Sequence, residues 1–297
     1  MSTVTTTERI QRLNRVSEKR VVNPDTDLIG SLRDGQILPD ELLSIAGLDL
    51  DLSAEQRATL SREEVASLFD NGIRFEAILE AGFALEIAAA RDLTDPRVTY
   101  LCHEIGEETR HQRIFQRMIQ QIRPTAKNPL AGNRAVAVFE RMSNTWLINH
   151  TMVLYVMVLA GEEIPDLLQK LASEHPDTDP WLAEVNRYHR QEEARHLSFA
   201  RARLPELWQS ASRVDRFAVR HVVPLAIAQL FEWLVHPGVY ETVGLDGWAT
   251  WKAVNRSPQR QAIRHRATRP ILAELQSAGI IDANRVPKRW QRLCGIG

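Results

Sequence analysis

Residues 181–204 read WLAEVNRYHRQEEARHLSFARARL. Leu182, Val185, His189, Glu193, His196, Ala200 and Leu204 recur at steps of three or four, so they share one face of a helix. The ends of that face are apolar and point at a core. Its middle is His, Glu, His. Residues 96–122, PRVTYLCHEIGEETRHQRIFQRMIQQI, repeat the arrangement. There Leu101, Ile105, Glu108, His111, Phe115, Met118 and Ile122 form one stripe with Glu and His at its centre. The two centres are near copies, EETRH at 107–111 and EEARH at 192–196, 85 residues apart (196 − 111). Burying a carboxylate without a partner costs on the order of several kcal/mol. Two such stripes need compensation, and a cation supplies it directly. One Glu-x-x-His pair alone usually means a solvated face or a local hydrogen bond; two, each on an apolar stripe, point to a metal site.

Outward from these stripes the pattern stays helical. Ser53 is an N-cap with Gln56 three residues on, and it opens a long helix through SAEQRATLSREEVASLFDNGIRFEAILEAGFALEIAAARD. TDPR at 94–97 breaks the chain and starts the second helix, which stops before Pro124. A third helix is expected from about 133 to 174, bent at Pro165, and a fourth from Pro180 to Leu204, ending before Pro205. Further helices are expected near 206–235, 246–254 and 258–279. No stretch shows sustained period-two alternation with glycine turns, so the class is all-α, and long antiparallel helices suggest a bundle. The expected division is an N-terminal arm with short helices, 1–52, and a single helical domain, 53–297. Its core bundle spans 53–204 and additional helices fill 205–297.

Composition narrows the function classes. The chain has 297 residues, 44% of them hydrophobic, and a net charge of −1, which gives no global attraction to nucleic acid or an anionic membrane. Cys102 and Cys294 form neither a metal-ligand spacing nor a disulfide framework, as suits a reducing cytosol. The first twenty residues, MSTVTTTERIQRLNRVSEKR, have no apolar signal region. TMVLYVMVLAG at 151–161 is too short to span a bilayer. The expectation is a soluble cytoplasmic protein without a membrane span or nucleic-acid partner. A basic stretch from Lys252 to Arg292, including Arg260, Arg264, Arg269 and Arg289, reads as a solvated face, with recognition of an anionic substrate or carrier as the functional alternative.

A two-metal bundle takes a Glu-x-x-His from each of two helices and one more Glu from each of two others. Upstream of Glu108 the first helix offers Glu76, Glu80 and Glu86; upstream of Glu193 the third offers Glu162 and Glu163. Glu76 precedes Glu108 by 32 residues (108 − 76) and Glu162 precedes Glu193 by 31 (193 − 162), so the halves match at nearly equal spacing. Glu80 and Glu163 are the alternates. His189, four residues before Glu193, breaks the symmetry, because Glu104 stands at the corresponding place in the second helix. It is either a core histidine bonded to a ligand or, as read here, a seventh ligand. Glu107 with Arg110, and Glu192 with Arg195, are either surface ion pairs or a supporting layer that orients the ligands. Tyr155, Met152 and Phe83 face the same interior and read as core residues, with a pocket wall as the alternative.

FEAILEAG at 75–82, EETRH, LAGEEI at 159–164 and HRQEEARH at 189–196 resemble the di-iron N-oxygenases typified by p-aminobenzoate N-oxygenase, over roughly residues 55–205. The family pattern falls on Glu76, Glu108, His111, Glu162, His189, Glu193 and His196. Its extra histidine separates it from ferritins, ribonucleotide reductase small subunits and bacterial multicomponent monooxygenases. The resemblance implies a ferritin-like bundle, two Fe ions, O2, an external electron donor and oxidation of an amine nitrogen in a small-molecule substrate, with a homodimer by analogy. A donor set rich in carboxylates also suits Mn. The alternatives are a di-iron hydroxylase or desaturase, a ferritin-like ferroxidase, and a metal-free scaffold.

Overall fold

The structure is a computed structural model that describes residues 5–296; residues 1–4 of the expected arm and residue 297 lie outside the described residues. All regular elements among the described residues are helices, as the sequence predicts. Helix α1 (Thr6–Lys19) is followed by a loop with one 3-10 turn, then α2 (Ala54–Ala88) and α3 (Pro96–Ile122). Next come α4 (Arg134–Ile148), α5 (Thr151–Glu174) and α6 (Pro180–Ser210). The chain ends with α7 (Arg213–His221), α8 (Val223–Trp233), α9 (Pro237–Glu241), α10 (Gly247–Arg256), α11 (Pro258–Ser277) and α12 (Lys288–Cys294).

The caps are those that the local chemistry requires. Ser53 and Gln56 form a reciprocal capping box at the start of α2. Asp95 and Asp179 accept hydrogen bonds from the first backbone N–H groups of α3 and α6, each with a proline in the first turn. Helices α2 and α3 run antiparallel: Glu63 accepts from Thr125 near one end of the pair, and Glu80 accepts from Gln112 further along. Helices α5 and α6 do the same, through Arg187 on Ser173 and Arg201 on Glu163.

Two expectations about helix ends are corrected. The single helix over 133–174 is two helices, α4 and α5, broken at Asn149 and His150. His150 leaves the helical region at φ −119°, ψ 74°, stacks on Trp146 and places Nδ1 2.6 Å from Asp215 at the start of α7. These contacts turn the chain from α4, which has no buried residue, into α5, which is buried along most of its length. Helix α5 passes through Pro165 without ending there. Helix α6 likewise continues through Pro205 to Ser210, because ion pairs hold its last turns: Arg203 to Glu86 and Glu206, and Arg97 to Glu206. Those contacts outweigh the hydrogen bond that proline removes. The expected helix over 206–235 is accordingly the end of α6 followed by α7 and α8.

The interior has two apolar clusters with a polar layer between them. One holds Leu79, Phe83, Leu101, Tyr155, Leu159, Phe199 and Leu204, with Ile271 and Trp290 from the C-terminal helices. The other holds Val65, Phe69, Phe115, Met118, Leu182 and Val185, closed by Ile37, Leu38 and Leu43 from the segment before α2. Tyr155, Met152 and Phe83 are therefore core residues. No single helix among the described residues is long and apolar enough to cross a membrane. Several basic C-terminal residues serve the fold: Arg269 donates to the carbonyls of Cys294 and Gly295, and Arg289 donates to that of His221.

The segment before α2 is tied down by a buried polar contact. Ser44 donates its backbone N–H (2.9 Å) and its hydroxyl (2.5 Å) to Glu64, and the hydroxyl also meets Tyr240 at 2.9 Å. Burial pushes the Glu64 carboxyl up from 4.5 to about 7, although the Ser44 bonds and the Arg260 charge oppose it. A raised carboxyl favours folding only while protonated. Its contribution is complete below the unfolded value and disappears as pH rises through about 7. Glu64→Gln keeps an acceptor for Ser44 and cannot ionise. Between pH 5 and pH 8.5 the wild type is expected to lose roughly 3 kcal/mol relative to E64Q. Urea unfolding of both proteins at the two pH values measures the difference; parallel curves would show that Glu64 does not ionise in the fold.

Candidate metal centre

The polar layer between the clusters is built by four helices. Helix α2 brings Glu76, α3 brings Glu108 and His111, α5 brings Glu162, and α6 brings His189, Glu193 and His196. All seven are buried, and Glu108, His111 and His196 are fully so. Their ligand atoms form two groups, Glu76–His111–His189 and Glu108–Glu162–Glu193–His196, with every atom in a group within 4.8 Å of the others.

Two carboxylates connect the groups. Glu193 sets Oε1 3.0 Å from His111 Nδ1 and 3.2 Å from His189 Nε2, while its Oε2 lies 2.8 Å from His196 Nδ1. Glu108 sets Oε2 3.2 Å from His111 Nδ1 and Oε1 3.2 Å from His196 Nδ1. Glu76 belongs to the group with His111 and His189, and Glu162 to the other. The alternates are engaged elsewhere: Glu80 accepts from Gln112 at 2.8 Å, and Glu163 pairs with Arg201 at 2.5 Å.

Each imidazole turns its other nitrogen to a fixed partner. His111 Nε2 lies 3.0 Å from Glu192 Oε2, and His196 Nε2 lies 2.8 Å from Glu107 Oε2. The first glutamate of each near-copy thus orients the histidine of the other. His189 Nδ1 lies 2.9 Å from Gln169 Oε1, an acceptor, so the proton sits on Nδ1 and leaves Nε2 free toward Glu76 and Glu193. Arg195 Nη2 joins Glu107 (2.9 Å) to Glu192 (3.1 Å), with Arg110 at 3.9 and 3.7 Å. Buried Glu107, Glu192 and Arg195 with half-buried Arg110 form a neutral ring rather than surface ion pairs. Tyr188 adds a hydrogen bond to Glu192 at 3.0 Å. The sequence signal for Gln169 is its place on α5 seven residues after Glu162 (169 − 162), two turns along the same face.

The electrostatics describe a site short of positive charge. Burial and neighbouring carboxylates push Glu76 and Glu162 well above the ordinary range. Burial acts to lower the pKa of His111 and His196, but surrounding glutamates outweigh it and hold both well above their usual value. His189, where burial dominates, is lowered to about 4 and is neutral. Glu76 Oε2, Glu108 Oε1 and Glu193 Oε1 are buried without a hydrogen-bond partner. Four carboxylates match the charge of two divalent cations, and oxygen donors with a few imidazoles suit Fe or Mn. The residues therefore fit a pair of such ions.

The family model for p-aminobenzoate N-oxygenase AurF matches residues 4–279. The chain belongs to the AurF family. AurF is a di-iron oxygenase family, which is consistent with this donor set. Among curated proteins the chain is similar to the uncharacterized proteins Rv0885 and MT0908 of Mycobacterium tuberculosis and Mb0909 of Mycobacterium bovis. Each is 30% identical over 190 residues, 62% of this chain. The chain spans about half the length of these relatives, 54%.

Proposed function

We propose that this protein is a di-iron oxygenase that uses O2 and electrons from an external donor to oxidise an amine nitrogen of a small-molecule substrate. Glu76, Glu108, His111, Glu162, His189, Glu193 and His196 are the proposed ligands. The observation that carries this reading is that Glu108 and Glu193, members of one buried Glu/His group, each also reach His111 of the other, in an AurF-family chain. Iron bound there supplies the redox chemistry by which O2 is activated.

The protein's part is to bind, orient and exclude water. Glu108 and Glu193 fix the spacing of the two positions, because each presents one oxygen to either side. Glu192, Glu107 and Gln169 hold the imidazoles in the tautomer and rotation that direct a nitrogen lone pair inward. The Arg195 and Arg110 guanidiniums neutralise Glu107 and Glu192, so the central carboxylates keep their charge for the cations. The clusters around Phe115 and Phe199 keep water from both ends of the polar layer.

Protein produced with iron is expected to hold about two Fe per chain; less than about one equivalent of Fe or Mn overturns the metal reading. The reaction is tested by giving reduced, iron-loaded protein an aromatic amine and isotopically labelled O2. Label on nitrogen is expected. Label on carbon identifies a hydroxylase, and ferric protein without product identifies a ferroxidase.

A further inference from the structure

The two halves of the centre differ at one place. In α6, His189 precedes Glu193 by four residues and brings Nε2 to 3.3 Å from Glu76 and 3.2 Å from Glu193. In α3 the residue four before Glu108 is Glu104. The repeat exchanges Glu108 with Glu193, His111 with His196 and Glu76 with Glu162, and it therefore exchanges Glu104 with His189. Residues 104, 108 and 111 lie at i, i+4 and i+7, on one face of α3. The group Glu76–His111–His189 contains two imidazoles, whereas Glu108–Glu162–Glu193–His196 contains one.

Glu104 is 1% exposed, and its Oε2 has no hydrogen-bond partner. Among the described residues no arginine, lysine or histidine forms an ion pair with it. Tyr100, one turn earlier on the same face, is also buried with an unpartnered hydroxyl, so the orphan oxygen is not satisfied from that side. The neighbouring charges that act on Glu104 are His196, Glu108, Glu193 and Glu107. Three of these residues, His196, Glu108 and Glu193, belong to the second group. A carboxyl with no use in the fold is costly in this position, since leucine or glutamine would occupy the space without it.

We propose that Glu104 is an eighth protein ligand, given to the metal at Glu108, Glu162, Glu193 and His196 as His189 is given to the metal at the other position. The proposal rests on the di-metal reading above. It makes the two positions chemically unequal: one has two nitrogen donors, and the other has one nitrogen and an added carboxylate. Oxygen donors favour harder cations and nitrogen donors softer ones, so a centre with near-symmetric carboxylates acquires a distinct iron affinity on each side.

The test uses Glu104→Gln, which keeps the volume and removes the charge. Stepwise Fe(II) affinities are measured anaerobically by competition with a chelator, and the two irons are followed separately by Mössbauer spectroscopy. E104Q is expected to weaken one of the two affinities by at least about tenfold and to alter one iron signal, leaving the other within about twofold. His189→Ala is expected to act on the opposite signal. Two unchanged affinities and two unchanged signals in E104Q overturn the eighth ligand while leaving the di-metal centre intact. A wild type that binds less than about one equivalent of Fe or Mn overturns the centre itself. Circular dichroism of the metal-free proteins reports folding. If E104Q does not fold, Glu104→Asp, which withdraws the carboxylate by one methylene, is expected to produce the same one-sided loss, and its absence overturns the proposal.

Discussion

Glu193→Ala is expected to release both metals, whereas Glu76→Ala releases one. The difference follows from reach. Glu193 presents Oε1 to His111 and His189 on one side and Oε2 to His196 on the other, with contacts of 3.0, 3.2 and 2.8 Å. Glu76 lies in the group with His111 and His189, and its ion-pair contact among the described residues is with His189, at 3.3 Å. Losing a residue that merely orients a ligand already costs about 10–100-fold in metal affinity. Removing a carboxylate shared by two positions is expected to cost more than about 100-fold at each. Metal per chain after dialysis is the measurement, with Glu193→Gln alongside to separate lost charge from lost volume. Two metals retained by E193A would mean that Glu193 does not connect the positions. One metal retained by both variants would mean that it serves a single position, as Glu76 does.

The same geometry shows which parts of the molecule sequence reading could reach. The apolar ends and polar middle of α3 and α6 were legible because helical spacing places residues 101–122 and 182–204 on single faces. The structure seats those ends in the two clusters and the middle between them. Equal spacing within two antiparallel hairpins singled out Glu76 and Glu162 but left Glu80 and Glu163 as alternates, which the structure engages with Gln112 and Arg201. What periodicity cannot supply is which helix lies against which adjoining face. Glu107 and Glu192 sit one position off the inward stripe, so the sequence left them between surface ion pairs and supporting groups. Only the contact of α3 with α6 turns each toward the other helix's histidine. The break at His150 was hidden for a similar reason. No proline or glycine marks it, and the turn is held by Asp215, 65 residues away. The proline at 205 misled in the opposite direction, because tertiary contacts carry α6 past it, whereas α5 runs through Pro165 to Glu174 as expected.

Arg195→Ala is expected to be the most damaging change outside the proposed ligands. Its guanidinium lies 2.9 Å from Glu107 and 3.1 Å from Glu192, and all three side chains are buried. Burial pushes the Glu107 carboxyl up, but hydrogen bonds and charge from His196 and Arg195 outweigh it and hold it at about 2. A lowered carboxyl stabilises the fold above its unfolded value, and that contribution is lost as pH falls through about 2. Without Arg195 the two buried carboxylates keep only Arg110 as a guanidinium partner, at 3.9 and 3.7 Å, beside the imidazoles of His196 and His111. Breaking a buried pair from one side costs roughly 3–5 kcal/mol, and Arg110 should hold the loss near the lower end. Arg110→Ala removes the longer contacts of a side chain that is 17% exposed, and about 1 kcal/mol is expected. Arg195→Lys should fall between them, because a single ammonium cannot hold two carboxylates as a planar fork does. Urea unfolding of the metal-free proteins at pH 7 ranks the three. Metal affinity gives an independent reading, since Glu107 and Glu192 orient His196 and His111. R195A should lose about 10–100-fold there as well. A large loss of stability with unchanged affinity would confine the ring to the fold. Equal, small losses for R195A and R110A would mean that the four charges do not act as one unit.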